Sequence, residues 1–409
     1  MKYDVSNTPS NMVKDMPNTI YLDNAATTAI KPEVLDAMMP YLTEKYGNAS
    51  SIHSFGAECN VACENARKQV AKVINAKDNE IYFTSGGSES DNWVLKSVAY
   101  MKKDKGRHII TSTIEHPAVL QTCEFLAREG FEVTFVNVDD KGILKVDELE
   151  AAIRPETILI SIMFANNEIG TIQPIRKIGE IARSKGILLH TDAVQAYGHI
   201  PIDVEADNID LLSASAHKIH GPKGVGMLYM KNNVKLLPLL HGGPHERKRR
   251  AGTLNVPGIV GFGKAAELAS QHMDENAKKV TELRDYLMDR MLKEIPHSRL
   301  NGDKERRLPG NVNISFQYIE GESLLMLVDM KGICASTGSA CASGSLDPSH
   351  VLLGIGLPHE IAHGSLRMTL SEFNTKEEMD YTVEAVKEVV ARLRSMSPLY
   401  EDAMKNKEA

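Results

Sequence analysis

A lysine stands in a distinctive setting in the stretch Ser213-Ala214-Ser215-Ala216-His217-Lys218-Ile219-His220-Gly221-Pro222-Lys223-Gly224. It follows a strand-like run and is closed in by glycine and proline, unlike a lysine on a solvated helix face. Partial burial and neighbouring positive groups lower an amine's pKa, and a neutral amine is a nucleophile. The plainer alternative is a loop lysine beside a turn. A second polar residue, Asp192, ends the apolar run in Leu189-His190-Thr191-Asp192-Ala193-Val194-Gln195. A carboxylate there is costly to bury unless it meets a cation or a protonated ring nitrogen. Capping a helix N-terminus is its other ordinary use.

Thr84-Ser85-Gly86-Gly87-Ser88-Glu89 places two glycines and two serines between a strand pattern and a helix pattern. Such a turn presents free backbone N–H groups to a phosphate; a capped helix start would use the same residues. Cys341 lies in Ser336-Thr337-Gly338-Ser339-Ala340-Cys341-Ala342-Ser343-Gly344-Ser345, a run of small polar residues typical of an exposed loop. A structural thiol prefers apolar neighbours, so Cys341 reads as a reagent. Cys59, Cys63 and Cys334 read as structural.

These residues need strands to hold them. Strand patterns occur at 80–84, 108–112, 132–138, 157–164, 187–191, 210–213 and 225–230, with helical patterns between several of them. The alternation predicts an α/β fold, with a mostly parallel sheet covered by helices on both faces. Ligands in such sheets sit beyond the carboxyl ends of the strands, where the four polar clusters fall. After Gly263 the texture changes to a long charged helix over 264–295, strands at 311–316 and 365–370, and a helix over 378–396. We therefore expect a poorly ordered lead-in over 1–19 and a large domain over 20–271. A smaller domain over 272–409 carries the Cys341 segment, and the first residues of the large domain can join it.

Charge and composition exclude several classes. The formal net charge is −7, against the basic face that nucleic acid or an anionic membrane demands. No stretch approaches a membrane-spanning length of apolar residues, and the lead-in lacks a signal peptide's apolar core. Five cysteines without C-x-x-C fit a reduced, cytoplasmic protein.

The motifs in series resemble those of cysteine desulfurases, pyridoxal-phosphate enzymes of the class V aminotransferase family. Tyr21-Leu22-Asp23-Asn24-Ala25-Ala26-Thr27-Thr28 resembles the opening signature, and Tyr46-Gly47-Asn48 with Ser50-Ser51-Ile52-His53 the next. Glu115-His116-Pro117, Ala165-Asn166-Asn167-Glu168, Asp192-Ala193-Val194-Gln195, His217-Lys218 and the Cys341 segment follow in order. The length of that segment resembles the nitrogen-fixation and housekeeping branch. The resemblance implies a fold-type-I transferase with a seven-stranded sheet in its large domain and a smaller α+β domain.

It also implies roles for individual residues. Gly87, Ser88, Ser215 and His217 would hold the cofactor phosphate of pyridoxal 5′-phosphate, with Thr253 reaching the phosphate of a neighbouring subunit in a homodimer with shared active sites. His116 would stack on the ring and assist proton transfer, Asp192 would pair with the ring nitrogen, and Gln195 would bond the ring hydroxyl. Lys218 would hold the cofactor covalently. Asn24, Asn167 and Arg367 would bind the carboxylate of L-cysteine, with Asn167 also near the cofactor. Cys341 would accept the sulfur as a persulfide, leaving alanine, and pass it to an iron–sulfur scaffold protein, with transient cluster ligation by Cys341 allowed in that complex. Ser88 stands where many relatives have threonine, and the hydroxyl is kept.

Other readings compete. A selenocysteine lyase would share the fold and cofactor, an aminotransferase would not need Cys341, and a non-catalytic sulfur-relay protein would not need Lys218. His359-Glu360-Ile361-Ala362-His363 spells a zinc-protease motif, but Pro358 before it and Gly364 after it leave no room for a long helix, so no resident metal is expected. Gly261-Phe262-Gly263-Lys264-Ala265-Ala266 satisfies a relaxed dinucleotide fingerprint, yet follows no strand and reads as helix packing.

Overall fold

The computed structural model describes residues 19–337 and 348–408. Cys341 and all but the last residue of the lead-in lie outside them. From the N-terminal side, β1 (Ile20–Tyr21) precedes α1 (Pro32–Thr43) and α2 (Ser54–Lys72). The alternation then runs β2 (Ile81–Thr84), α3 (Gly87–Lys102), β3 (His108–Ser112), α4 (Pro117–Arg128), β4 (Glu132–Val136) and α5 (Val146–Ala152). It continues with β5 (Thr157–Ser161), α6 (Ile175–Ser184), β6 (Leu188–Asp192), β7 (Leu211–Ser215) and β8 (Gly226–Met230). Beyond α7 (Val256–Glu294) come β9 (Ser298–Leu300), β10 (Asn311–Phe316), α8 (Gly321–Asp329) and β11 (Ile333–Cys334). The last elements are α9 (His350–Gly354), α10 (His359–His363), β12 (Ser365–Thr369), α11 (Lys376–Ser395) and α12 (Pro398–Glu408).

The seven expected strands make one sheet in the order β2-β8-β7-β6-β5-β3-β4. All neighbours are parallel except those of β8, which runs against both β7 and β2. Strands covered on both faces must be apolar throughout, and β2, β3, β5, β7 and β8 are buried at every position. Edge strand β2 is closed by side chains rather than by another strand. Glu246 accepts from Phe83 N at 2.8 Å, and Arg67 and Arg247 both donate to Ile81 O. Unpaired edge groups are thereby satisfied.

A second buried core surrounds the three-stranded sheet β12-β10-β9 and helices α8 and α11. Ile20 and Leu22 belong to it, because β1 pairs in parallel with β11. The 39-residue helix α7 serves both cores. Phe262, Ala265 and Ala266 pack into the first, and Val280, Leu287, Met288 and Met291 into the second. Residue 271 therefore lies inside one continuous helix. That helix starts earlier than the charged stretch suggested, since Asn255 caps it by accepting from Gly258 N and Pro257 sits in its first turn. Gly261 and Gly263 are contact points: a Cβ would lie 2.5 Å from Met38 Sδ at the first and 2.6 Å from Ala66 Cα at the second. The glycine pattern is helix packing against α1 and α2. Among the described residues no helix is long and apolar enough to cross a membrane.

Candidate active site

Strand order reverses between β3 and β5: β4 lies on one side of β3, and the chain returns to place β5 on the other. The crevice beyond the carboxyl ends at such a reversal is where α/β sheets bind ligands. One cavity there is lined by Ala25, Ala26, His116, Asn167, Asp192, Gln195, Lys218 and Arg367, among others. Residues drawn from six separate segments of the chain thus converge.

Lys218 ends a short 3-10 turn that follows β7 directly. Its Nζ donates to Ala25 O at 2.5 Å and Ala26 O at 2.8 Å. The loop beneath it is tied to the same strap, since Thr28 N and Thr28 Oγ1 both donate to His217 O. Gln195 Nε2 donates to Ala25 O at 3.0 Å, so the strap, the lysine and the glutamine share one anchor point.

Asp192 is the last residue of β6 and is 6% exposed. Its Oδ1 accepts from Val194 N at 2.9 Å, closing a turn rather than capping a helix, since the chain runs from β6 through turns to β7. Burial raises its pKa, opposed by His116, the Val194 N–H and Lys218. A buried carboxylate facing a cavity with that history is suited to a cationic ring nitrogen. His116 caps α4, its Nδ1 accepting from Ala118 N at 3.1 Å. Burial holds the ring's pKa below its ordinary value although Asp192 pulls it up. The neutral ring therefore carries its proton on Nε2.

The turn before α3 has a free donor set. Gly86 is the N-cap, with no side-chain cap bond, so the first N–H groups of the helix lack both an intrahelical and a capping partner. Gly226 lets the turn sit against β8, because a Cβ there would lie 2.6 Å from Gly86 Cα. Ser88 is exposed and Gly87 buried. Ser215 Oγ lies 3.9 Å from where a Cβ of Gly86 would be. His217 Nδ1 and Thr27 Oγ1 are 3.1 Å apart, and burial, Lys218 and Lys223 push the imidazole down to about 4.

Arg367 comes from β12 and is 2% exposed. Its Nη2 donates to Asp23 Oδ1 at 2.9 Å and its Nη1 to Asn167 O at 3.2 Å. Its buried Nε has no hydrogen-bond partner. Asn24 lines neighbouring crevices instead, its Nδ2 committed to Thr369 O at 2.7 Å. Thr253 is exposed on the loop before α7, away from the cavity lining. Cys341 lies outside the described residues. The two exposed histidines of 359–363 sit on a five-residue helix, and no group of metal-ligating side chains occurs among the described residues.

Two charged pairs, one on the turn before α3 and one against β2, were not foreseen. Glu89, on the first turn of α3, is bonded by Arg250, and Arg67 on α2 holds Glu246. Glu89 stood in a segment singled out from the sequence. Arg250, its partner across 161 positions, had no signal.

The donor set fits pyridoxal 5′-phosphate: a lysine, a buried aspartate in the same cavity, a turn of unfilled N–H groups and an arginine with an orphaned N–H. The chain matches Aminotransferase class-V over residues 20–382. The chain belongs to the class-V aminotransferase family. A cysteine desulfurase IscS of Methanosarcina thermophila is 59% identical over 93% of this chain and 94% of its own. A solved NifS-like protein is 42% identical with a TM-score of 0.87, covering 92% of this chain and 100% of its own. A solved structure of SspA in complex with cysteine is 36% identical with a TM-score of 0.78, covering 87% and 100%. This class-V chain has the fold-type-I architecture of those structures, and the family's cofactor is pyridoxal 5′-phosphate.

Proposed function

We propose that this class-V enzyme is a cysteine desulfurase, converting L-cysteine to L-alanine and passing the sulfur on for iron–sulfur cluster assembly. The observation that carries the reading is Arg367, a buried guanidinium that lines the cavity shared by Lys218 and Asp192 and whose Nε has no hydrogen-bond partner. A small amino-acid carboxylate suits that donor. The names of the relatives, and the cysteine held by one of them, support the same substrate.

Pyridoxal 5′-phosphate supplies an electron sink that stabilises the carbanion left when an amino acid loses its α-proton. In this reading Asp192 holds the ring nitrogen, Gln195 the ring hydroxyl, and His116 covers the ring face. Gly87, Ser88, Ser215 and His217 grip the phosphate. Arg367, with Asn167 and Asn24, orients the substrate carboxylate so that the α-proton faces the Lys218 amine, which takes it and later returns one to the product carbon. The Cys341 thiolate attacks the substrate sulfur: an S–S bond forms as the Cβ–S bond breaks, with its electron pair kept by carbon. Protonation of that carbon gives alanine, and Cys341 keeps the sulfur as a persulfide.

Both ends of the Cys341 segment support its delivery to this cavity. Ser336 is bridged to Arg367, and Ser349 donates to Glu168 beside Asn167. We further propose a cytoplasmic homodimer in which Thr253 reaches the partner's phosphate site. The exposed apolar residues Leu35, Met39, Leu42, Tyr46 and Ile52 support a covered face beside that loop, as does the Ser50–His245 hydrogen bond of 3.0 Å that ties the two segments. An iron–sulfur scaffold is the proposed acceptor.

Lys218→Ala tests the reading. The purified variant should lack the yellow colour of the wild type and form no alanine from L-cysteine. Retention of both would assign the work to another lysine. Selenocysteine run in parallel separates a selenocysteine lyase, which would leave L-cysteine untouched.

A further inference from the structure

Glu89 sits where a carboxylate is electrostatically awkward. It lies on the first turn of α3, the helix whose N-terminal N–H groups face the phosphate in the reading above. Its side chain is 10% exposed, and its Oε2 accepts from Ser85 N at 2.8 Å. The charge is therefore part of the turn itself. A carboxylate repels a phosphate dianion, and more strongly where water is excluded. Burial favours its neutral form, yet the donors from Arg250 and Ser85 outweigh burial and hold the carboxyl below its usual range. Glu89 stays ionised.

Arg250 answers that charge with a fork: Nε to Oε1 at 2.9 Å and Nη2 to Oε2 at 3.1 Å. The loop that brings Arg250 there is held under constraint. Glu246, Arg247 and Lys248 take φ of 43°, 55° and 66°, a left-handed turn that residues with a Cβ avoid. It is fastened by a buried two-point pair, with Arg67 Nη1 and Nη2 each 2.8 Å from Glu246. Glu246 also accepts from Phe83 N at 2.8 Å, and the Arg247 guanidinium lies 4.1 Å from the Tyr82 ring centre. Consecutive strained residues kept in place this way point to a function for the loop.

We propose that Arg250 is a positioning residue for phosphate recognition: it neutralises Glu89 and holds that carboxylate on Ser85 N, so that the turn offers donors to the phosphate without an opposing charge. The proposal rests on residues 85–88 being the phosphate turn.

The test compares pyridoxal 5′-phosphate with pyridoxal, the same ring and aldehyde without phosphate, on the full chain stripped of cofactor. Quenching of Trp93 reports binding, since it is the only tryptophan and lies on α3. The wild type should prefer the phosphorylated compound. Arg250→Gln should weaken pyridoxal 5′-phosphate by about tenfold or more, while pyridoxal changes by less than about twofold. Glu89→Gln combined with Arg250→Gln should recover most of the loss, because the opposing charge has gone. An unchanged preference in Arg250→Gln overturns the proposal. So does a double variant no better than the single one, which would make Arg250 a direct phosphate ligand, and so does an equal loss for both compounds, which would make its role purely structural. A wild type without phosphate preference would instead sink the phosphate-turn reading, and the proposal with it.

Discussion

Ser336 and Arg367 exchange two backbone hydrogen bonds, Ser336 N to Arg367 O at 3.0 Å and Arg367 N to Ser336 O at 2.7 Å. The residue that presents a guanidinium to the cavity is thereby joined to the root of the Cys341 segment, which places Cys341 five positions further along the chain. An extended chain of that length reaches at most about 17 Å. Recognition of the substrate carboxylate and supply of the nucleophile share one anchor.

Arg367→Lys keeps the charge but loses the fork and the orphaned Nε. We expect kcat/KM for L-cysteine to fall by about a hundredfold, mostly through KM, with the cofactor colour kept. Steady-state kinetics beside the visible spectrum check this. Lost colour with an unchanged KM would move Arg367 from the substrate to the cofactor.

Asp192→Asn removes the charge that stabilises a protonated ring nitrogen. Turnover should fall by at least about a hundredfold, with secondary structure unchanged by circular dichroism. Activity within a few-fold of wild type would contradict the ring-nitrogen role.

Glu115 gives a pH dependence of stability with a definite sign. Burial raises its pKa from the ordinary 4.5 to about 8, against donors from Ser112 and Met163. Below pH 4.5 folded and unfolded chains both carry the proton. As the pH rises from there toward 8, the unfolded chain releases it and the folded chain does not, so stability is lost across that window. Glu115→Gln does not titrate. Its advantage over the wild type should grow with pH, by at most about 1.4 kcal/mol per unit. Urea unfolding at pH 5 and pH 7.5 measures this, and a difference that does not change with pH would contradict it.

Lys248 is left-handed at φ 66° and belongs to no binding set. Lys248→Gly should stabilise the chain by about 1 kcal/mol, by removing the Cβ penalty, with turnover unchanged. Lower stability in urea would mean that the lysine side chain contributes more than the turn costs.

Much of this was legible in the sequence because it is periodic or local. All seven sheet strands were readable as short strand-like runs, and five are buried at every position, where a strand covered on both faces has little choice of residue. Lys218, Asp192 and the Ser85–Ser88 turn stood out because each follows such a run. What could not be read depended on distant charge. Arg250 answers Glu89 across 161 positions, and Glu246 meets Arg67 across 179. A buried pair has no period and no composition signal. Residue 271 marked a change of texture, but the chain makes one helix there because Asn255 starts it and two cores bury successive parts of its length.

The most direct measurement is incubation of the purified chain, loaded with pyridoxal 5′-phosphate, with L-cysteine, followed by alanine assay and mass analysis of the Cys341 peptide. The expected result is alanine together with a Cys341 peptide heavier by one sulfur atom, the added mass removed by a thiol reductant and absent in Cys341→Ala. Alanine released at full rate by Cys341→Ala, or alanine without any added sulfur on the wild-type peptide, would contradict it.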